Sequence, residues 1–157
     1  MLNARPEITG RLLSPSFTRT ILPTLAGYED VPGTASRAIC VIAQRAATTL
    51  GPASGVRAIA DVVVVPLLQA LGFRVEARID EPGRCRLRLS MGQLPADGHG
   101  NAHSRDGTAI VVGWSQSLSS VWRESVNAGI AAEAQWAFCS NDTAIRLLDT
   151  RRTWSRD

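Results

Sequence analysis

Arg74, Arg78, Arg84, Arg86 and Arg88 stand at even spacing on two short segments joined by Glu81-Pro82-Gly83. A guanidinium is a planar fork offering two parallel donors to a phosphate, so five on adjoining strands would follow a polyanion backbone. Contacts of that kind position a nucleic acid without reading its bases. Glu76 and Asp80 are interleaved with the arginines. The same face therefore has a second reading, a solvated surface whose charges pair across the hairpin. Both histidines of the chain, His99 and His103, lie between Asp97 and Asp106. On a helix they would share one side and could hold a metal ion, but Gly98 and Gly100 argue against a helix, and a polar loop is the expectation. Cys40, Cys85 and Cys139 are far apart, lack Cys-x-x-Cys spacing and sit among apolar neighbours. They are expected to be small buried hydrophobes instead of zinc ligands or a redox pair.

The basic residues are all arginine, 17 of them, with no lysine. That excludes chemistry needing an ammonium: a Schiff base, a phosphate-loop lysine, or the lysine of a nuclease Glu-x-Lys motif. A net charge of +3 permits nucleic-acid contact without demanding it. At 157 residues, with 45% hydrophobic and 20% charged, the chain suits one ordinary globular core. It has no apolar run of membrane-spanning length, and its amino terminus lacks a signal pattern. A cytoplasmic protein with no membrane contact is expected. No glycine-rich cofactor loop and no metal cluster is legible, so no cofactor, metal site or catalytic residue is assigned.

The elements that would carry these residues follow from periodicity. Residues 1–52 read as an N-terminal helical segment: Phe17, Ile21, Leu22 and Leu25 at helical spacing with a kink or break at Pro23, then a helix bearing Ile39, Ile42, Ala46 and Leu50. Residues 53–150 read as an α/β core. A very apolar helix from Ser54 to Leu71 precedes a hairpin in which Phe73, Val75, Ala77 and Ile79 alternate with charges. On that alternation all five arginines project opposite Val75, Ile79, Leu87 and Leu89. A polar loop over 92–107 leads to an apolar third strand from Thr108 to Val112. A helix through Trp122, Val126 and Ile130 follows, then strands at Gln135–Cys139 and Thr143–Leu148. Trp114, Trp122 and Trp136 are expected in the core. Residues 151–157 are a polar tail or linker, read as the place where a longer polypeptide continues.

The order α-β-β-β-α-β, with a further strand after a tight turn, is similar to that of restriction-endonuclease-like folds. Three stretches resemble a more specific family. Leu50-Gly51-Pro52-Ala53-Ser54-Gly55-Val56-Arg57 leads to Pro66-Leu67-Leu68-Gln69-Ala70-Leu71-Gly72-Phe73; Trp114, Leu118 and Trp122-Arg123 follow. The strand Gln135-Trp136-Ala137-Phe138-Cys139 with its Asn141 turn then runs to Ile145-Arg146-Leu147-Leu148 and Trp154-Ser155-Arg156. Together they resemble the front region of type IIG-like restriction–modification proteins, in which an endonuclease-like domain precedes an N6-adenine DNA methyltransferase. The resemblance implies a restriction-endonuclease-like mixed sheet flanked by helices, preceded by the helical segment. It also implies a metal site with a carboxylate near the second core strand and an acid two residues before a lysine on the third. This chain departs there: from Gly107 to Val121 no side chain is ionisable. The methyltransferase motifs are absent as well.

The expectation is a lapsed nuclease domain of a DNA restriction–modification or defence protein. It would touch duplex DNA through backbone phosphates with Arg74, Arg78, Arg84, Arg86 and Arg88, or scaffold a methyltransferase region of the same polypeptide. One alternative is a protein–protein interaction module without a DNA role. Another is an active Mg²⁺-dependent nuclease with a displaced site drawn from Glu76, Asp80 or Asp106.

Overall fold

The computed structural model describes residue 14 and residues 16–25, 33–91 and 106–151. The chain divides into two compact units, Met1–Thr34 and Ala35–Asp157. In the first, a π-helical turn over Phe17–Ile21 gives way to a 3₁₀ turn over Leu22–Thr24, with proline near its start. Pro23 has no N–H with which to carry an α-helical ladder onward, so the expected break falls there.

Helix α1 (Gly33–Thr49) opens at the border of the units and runs within the second. It has no fully buried residue. Cys40 lies on it and is exposed, against the expectation of a buried thiol; its helical position falls off the stripe of Ala38, Ile39, Ile42 and Ala46. Residues 56–70 form one helical path in three parts: α2 (Val56–Ile59), a π turn (Ala60–Val64) and α3 (Val65–Ala70). Pro66 explains the middle part. It cannot donate to the carbonyl four residues back, and its ring presses on that carbonyl. The widened turn, in which the Val65 N–H reaches the Ala60 carbonyl, makes room. Gly72, at φ +91°, closes the helix in the left-handed region where glycine carries no steric penalty.

Five strands follow: β1 (Phe73–Glu81), β2 (Arg84–Met91), β3 (Gly107–Val112), β4 (Trp136–Ser140) and β5 (Ile145–Asp149). They lie in the sheet in chain order. The first three form an antiparallel meander, β3 and β4 are parallel, and β5 returns antiparallel to β4. A parallel neighbour needs a crossover. Here it is a 3₁₀ turn (Leu118–Ser120) and helix α4 (Trp122–Ala131). The architecture is therefore mixed α/β, a mixed sheet with helices on both faces. All six residues of β3 are buried, which accounts for its unbroken apolar run. Ile59, Ala60, Val64 and Leu68 pack on Cys85, Leu87, Leu89, Ala109, Val111 and Phe138 on one face. On the other, Leu118, Val121 and Ala128 pack with Ile110, Val112, Cys139 and Leu148. No helix among the described residues is long and apolar enough to cross a membrane.

Two phases differ from those read in the sequence. A β-bulge between Val75 and Ala77 shifts the β1 register. Beyond it, Arg78 pairs with Leu87 and Asp80 with Cys85, while Ile79 pairs with Arg86. The period of two makes such a slip reverse every later side chain. Ile79 is accordingly 58% exposed instead of buried. On α4 the face against the sheet is Val121, Ser125, Ala128 and Gly129, not Trp122, Val126 and Ile130. Small residues let the helix axis approach the sheet, which outweighs burial of the larger side chains. Trp122 is thus turned out of the core, with the Arg123 guanidinium 5.3 Å from its ring centroid. Trp136 is partly buried against the core, as expected.

Candidate nucleic-acid interface

Helix α4 lies over β3, β4 and β5. Helix α4 reaches the β1–β2 part of that face through the Glu124 side chain, and beside it Arg74, Ala77, Ile79, Glu81 and Arg88 form an exposed, open floor. Strand pairing places Arg74, Arg84, Arg86, Arg88 and Ser90 there, with Ala77, Ile79 and Glu81. Glu76, at the bulge, accepts a hydrogen bond from Ser90. The floor gathers four of the five arginines assigned from the sequence.

Arg78 is the exception. The bulge sends it to the opposite face, where it bonds Asp61 on the π turn and Asp80 on its own strand at 3.0 Å. Arg57 approaches Asp80 at 3.4 Å from above. The hydrogen bond that Arg78 donates to Asp61 raises the Arg78 pKa above its ordinary value, against the opposing effect of burial. Desolvation pushes the Asp80 carboxyl up, but its bonds to Arg78 and Cys85, with the nearby Arg57 charge, bring it below the usual carboxylate range. Arg78 fastens the hairpin to the helix and stands apart from the other four arginines. Burial pushes the Cys85 thiol up to about 11, which makes it inert.

The remaining four arginines fall into two pairs. Arg84 Nη1 donates to Glu124 Oε2 at 2.6 Å, and Arg86 Nη2 donates to Glu124 Oε1 at 2.8 Å. Glu124 belongs to the first turn of α4, where a carboxylate also faces the positive end of the helix dipole. Glu81 lies 3.4 Å from Arg86. Arg86 Nε is buried and donates to nothing. Arg74 and Arg88 are exposed and have no ion pair among the described residues. The sequence did not single out Glu124; its spacing from the hairpin carries no signal, because the crossover alone brings α4 beside β2.

The other candidate positions do not converge. Glu76 serves Ser90 and Asp80 serves Arg78, while Asp106 lies at the entry to β3. No group of three His, Cys, Asp or Glu side chains gathers among the described residues. His99, His103 and Trp154 lie outside the described residues. Comparison with known proteins finds no matching family model, no similar curated protein and no similar solved structure.

At the carboxyl ends of β3 and β4 the turn after β4 is tied down by Asn141. Its amide donates to the Gln116 carbonyl at 2.8 Å, and its Oδ1 accepts from Thr143 Oγ1 at 3.0 Å and the Ala144 N–H at 3.1 Å. The next residue, Asp142, has φ +76° and a buried Oδ1 with no hydrogen bond. Burial raises its carboxyl pKa. A raised carboxyl destabilises the fold once pH climbs past the unfolded-state value of about 3.9. Asp142→Asn is therefore expected to raise Tm at pH 7, since asparagine also tolerates the left-handed backbone. Melts at pH 7 and pH 3 check this: the gain should shrink at the lower pH, where the aspartate is itself neutral.

Proposed function

We propose that this chain is a non-catalytic, restriction-endonuclease-like domain of a DNA restriction–modification or defence protein, and that it touches duplex DNA through backbone phosphates. The observation that carries the reading is the open β1–β2 floor, where Arg74 and Arg88 are exposed with Arg84 and Arg86 beside them. Backbone contact needs donors that reach phosphate without entering a groove, and a row of arginines on one sheet face supplies them. The β1–β2–β3 meander followed by a crossover to a parallel β4 supports the endonuclease-like fold. The side chains of β3, all neutral, support the lapse of cleavage, because the resemblance would put the metal-binding acid and the lysine on that strand. The methyltransferase context rests on the resemblance alone. The chain would then be a scaffold as well as a contact surface for that activity.

Fluorescence anisotropy with a short labelled duplex tests the DNA contact. Wild type should bind with an affinity that falls as salt rises. Arg74→Ala with Arg88→Ala should lower affinity about tenfold at low salt and flatten the salt slope by about 2. An unchanged affinity and slope would contradict the reading.

A second reading has its own observation. Ile79 lies fully on the floor among the arginines, and four arginines are set against Glu76, Glu81 and Glu124, so the floor is only weakly positive. An apolar centre with a charged rim suits a protein partner carrying carboxylates. Co-purification of such a partner, without any duplex binding at low salt, would favour it.

A further inference from the structure

Glu124 holds Arg84 and Arg86 with its two oxygens, one to each guanidinium, at 2.6 and 2.8 Å. Two donors converging on two oxygens of one anion is also how a phosphodiester presents its non-bridging pair. We propose that the space between Arg84 and Arg86 is a phosphodiester subsite which Glu124 fills in the unbound protein, so that Glu124 sets the affinity for DNA. This rests on the DNA-contact reading above and adds to it the state of half of the surface.

Three features make the carboxylate an exchangeable occupant. The ion pairs are partly open to water, with the Arg84, Arg86 and Glu124 side chains 37%, 40% and 26% exposed, so a competing anion can reach them. Arg86 keeps a buried Nε without a hydrogen-bond partner, so its contact with Glu124 leaves part of the guanidinium's donor capacity unused. The subsite is also continuous with Arg88 on the same strand face. From Arg84 to Arg88 is four residues of β2, roughly 13 Å at the rise of a strand. Displacing Glu124 therefore lengthens the row of phosphate donors without moving the sheet.

The experiment measures duplex binding by anisotropy for wild type, E124Q, R84A/R86A and E124Q/R84A/R86A, each checked for folding by circular dichroism. E124Q keeps the side chain's shape and removes its charge. It should bind about tenfold tighter at low salt, with a salt slope steeper by about 1. The gain should disappear when Arg84 and Arg86 are alanine. E124D, which keeps the acid in the first turn of α4 but shortens its reach, should show a smaller gain and covers the case in which E124Q is poorly folded. E124Q binding no tighter than wild type, or a gain that survives R84A/R86A, would overturn the subsite. In either case weakening by R74A/R88A would leave the DNA-contact reading standing. Absence of duplex binding by both wild type and E124Q would overturn both. A gain for polyglutamate and none for duplex would also overturn the subsite and favour the protein-partner reading.

Discussion

Ile110→Ala should destabilise the protein by about 3–4 kcal/mol, the loss expected for a large aliphatic side chain whose cavity cannot collapse. Ile110 is 1% exposed at the centre of β3, between β2 and β4. Val112, Leu118, Val121 and Cys139 surround it, and α4 presses on the same cluster. Backbone bonds to strands on both sides hold β3 in place, so the sheet cannot close on the void. Typical domain stability is about 5–15 kcal/mol, so this change alone would remove a large part of it. Denaturant titration measures it directly. Ile145→Ala is the control: Ile145 is on the last strand and 45% exposed. Its loss should be well under half as large, and equal losses would mean that β3 is not the centre of the core.

Gly129→Ala should be the second most damaging change, by about 2 kcal/mol net. Alanine ordinarily stabilises a helix interior over glycine by about 1 kcal/mol. Here the added Cβ would clash with Thr150 Cγ2 and stand 3.4 Å from Ala137 Cβ. Thr150 cannot turn aside cheaply, since its hydroxyl donates to the Ala134 and Gln135 carbonyls and the residue is buried. The clash exceeds the propensity gain. Thr150→Ser keeps the hydroxyl and deletes the obstructing methyl, so Gly129→Ala in that background should cost nothing or become stabilising. Thermal melts of the four proteins give the coupling. Additive effects would show that α4 does not lie this close to β4 and β5.

Much of the fold was legible because period and punctuation agreed. The glycine at 72 and the Glu81-Pro82-Gly83 turn marked boundaries that the structure keeps. The apolar run from Thr108 to Val112 announced the third strand, which the structure buries on both faces. The bulge at Glu76 was not legible. Phe73, Val75, Ala77 and Ile79 alternate without a break across it, and no glycine or proline marks the slip. That one residue moved Arg78 away from the other four arginines. The phase of α4 was misread because Trp122, Val126 and Ile130 are the larger apolar residues, whereas close approach selects Ser125, Ala128 and Gly129. Glu124 was invisible as part of the arginine surface for a different reason. Its partners lie about forty residues earlier, and only the crossover brings them within bonding distance.

Gel migration of supercoiled plasmid incubated with the full chain and millimolar Mg²⁺ or Mn²⁺ tests most directly the claim that this domain holds DNA without cutting it. Retarded bands that return to intact supercoiled plasmid after protein removal are the predicted result. Nicked or linear plasmid, or migration unaffected by the protein at low salt, would contradict it.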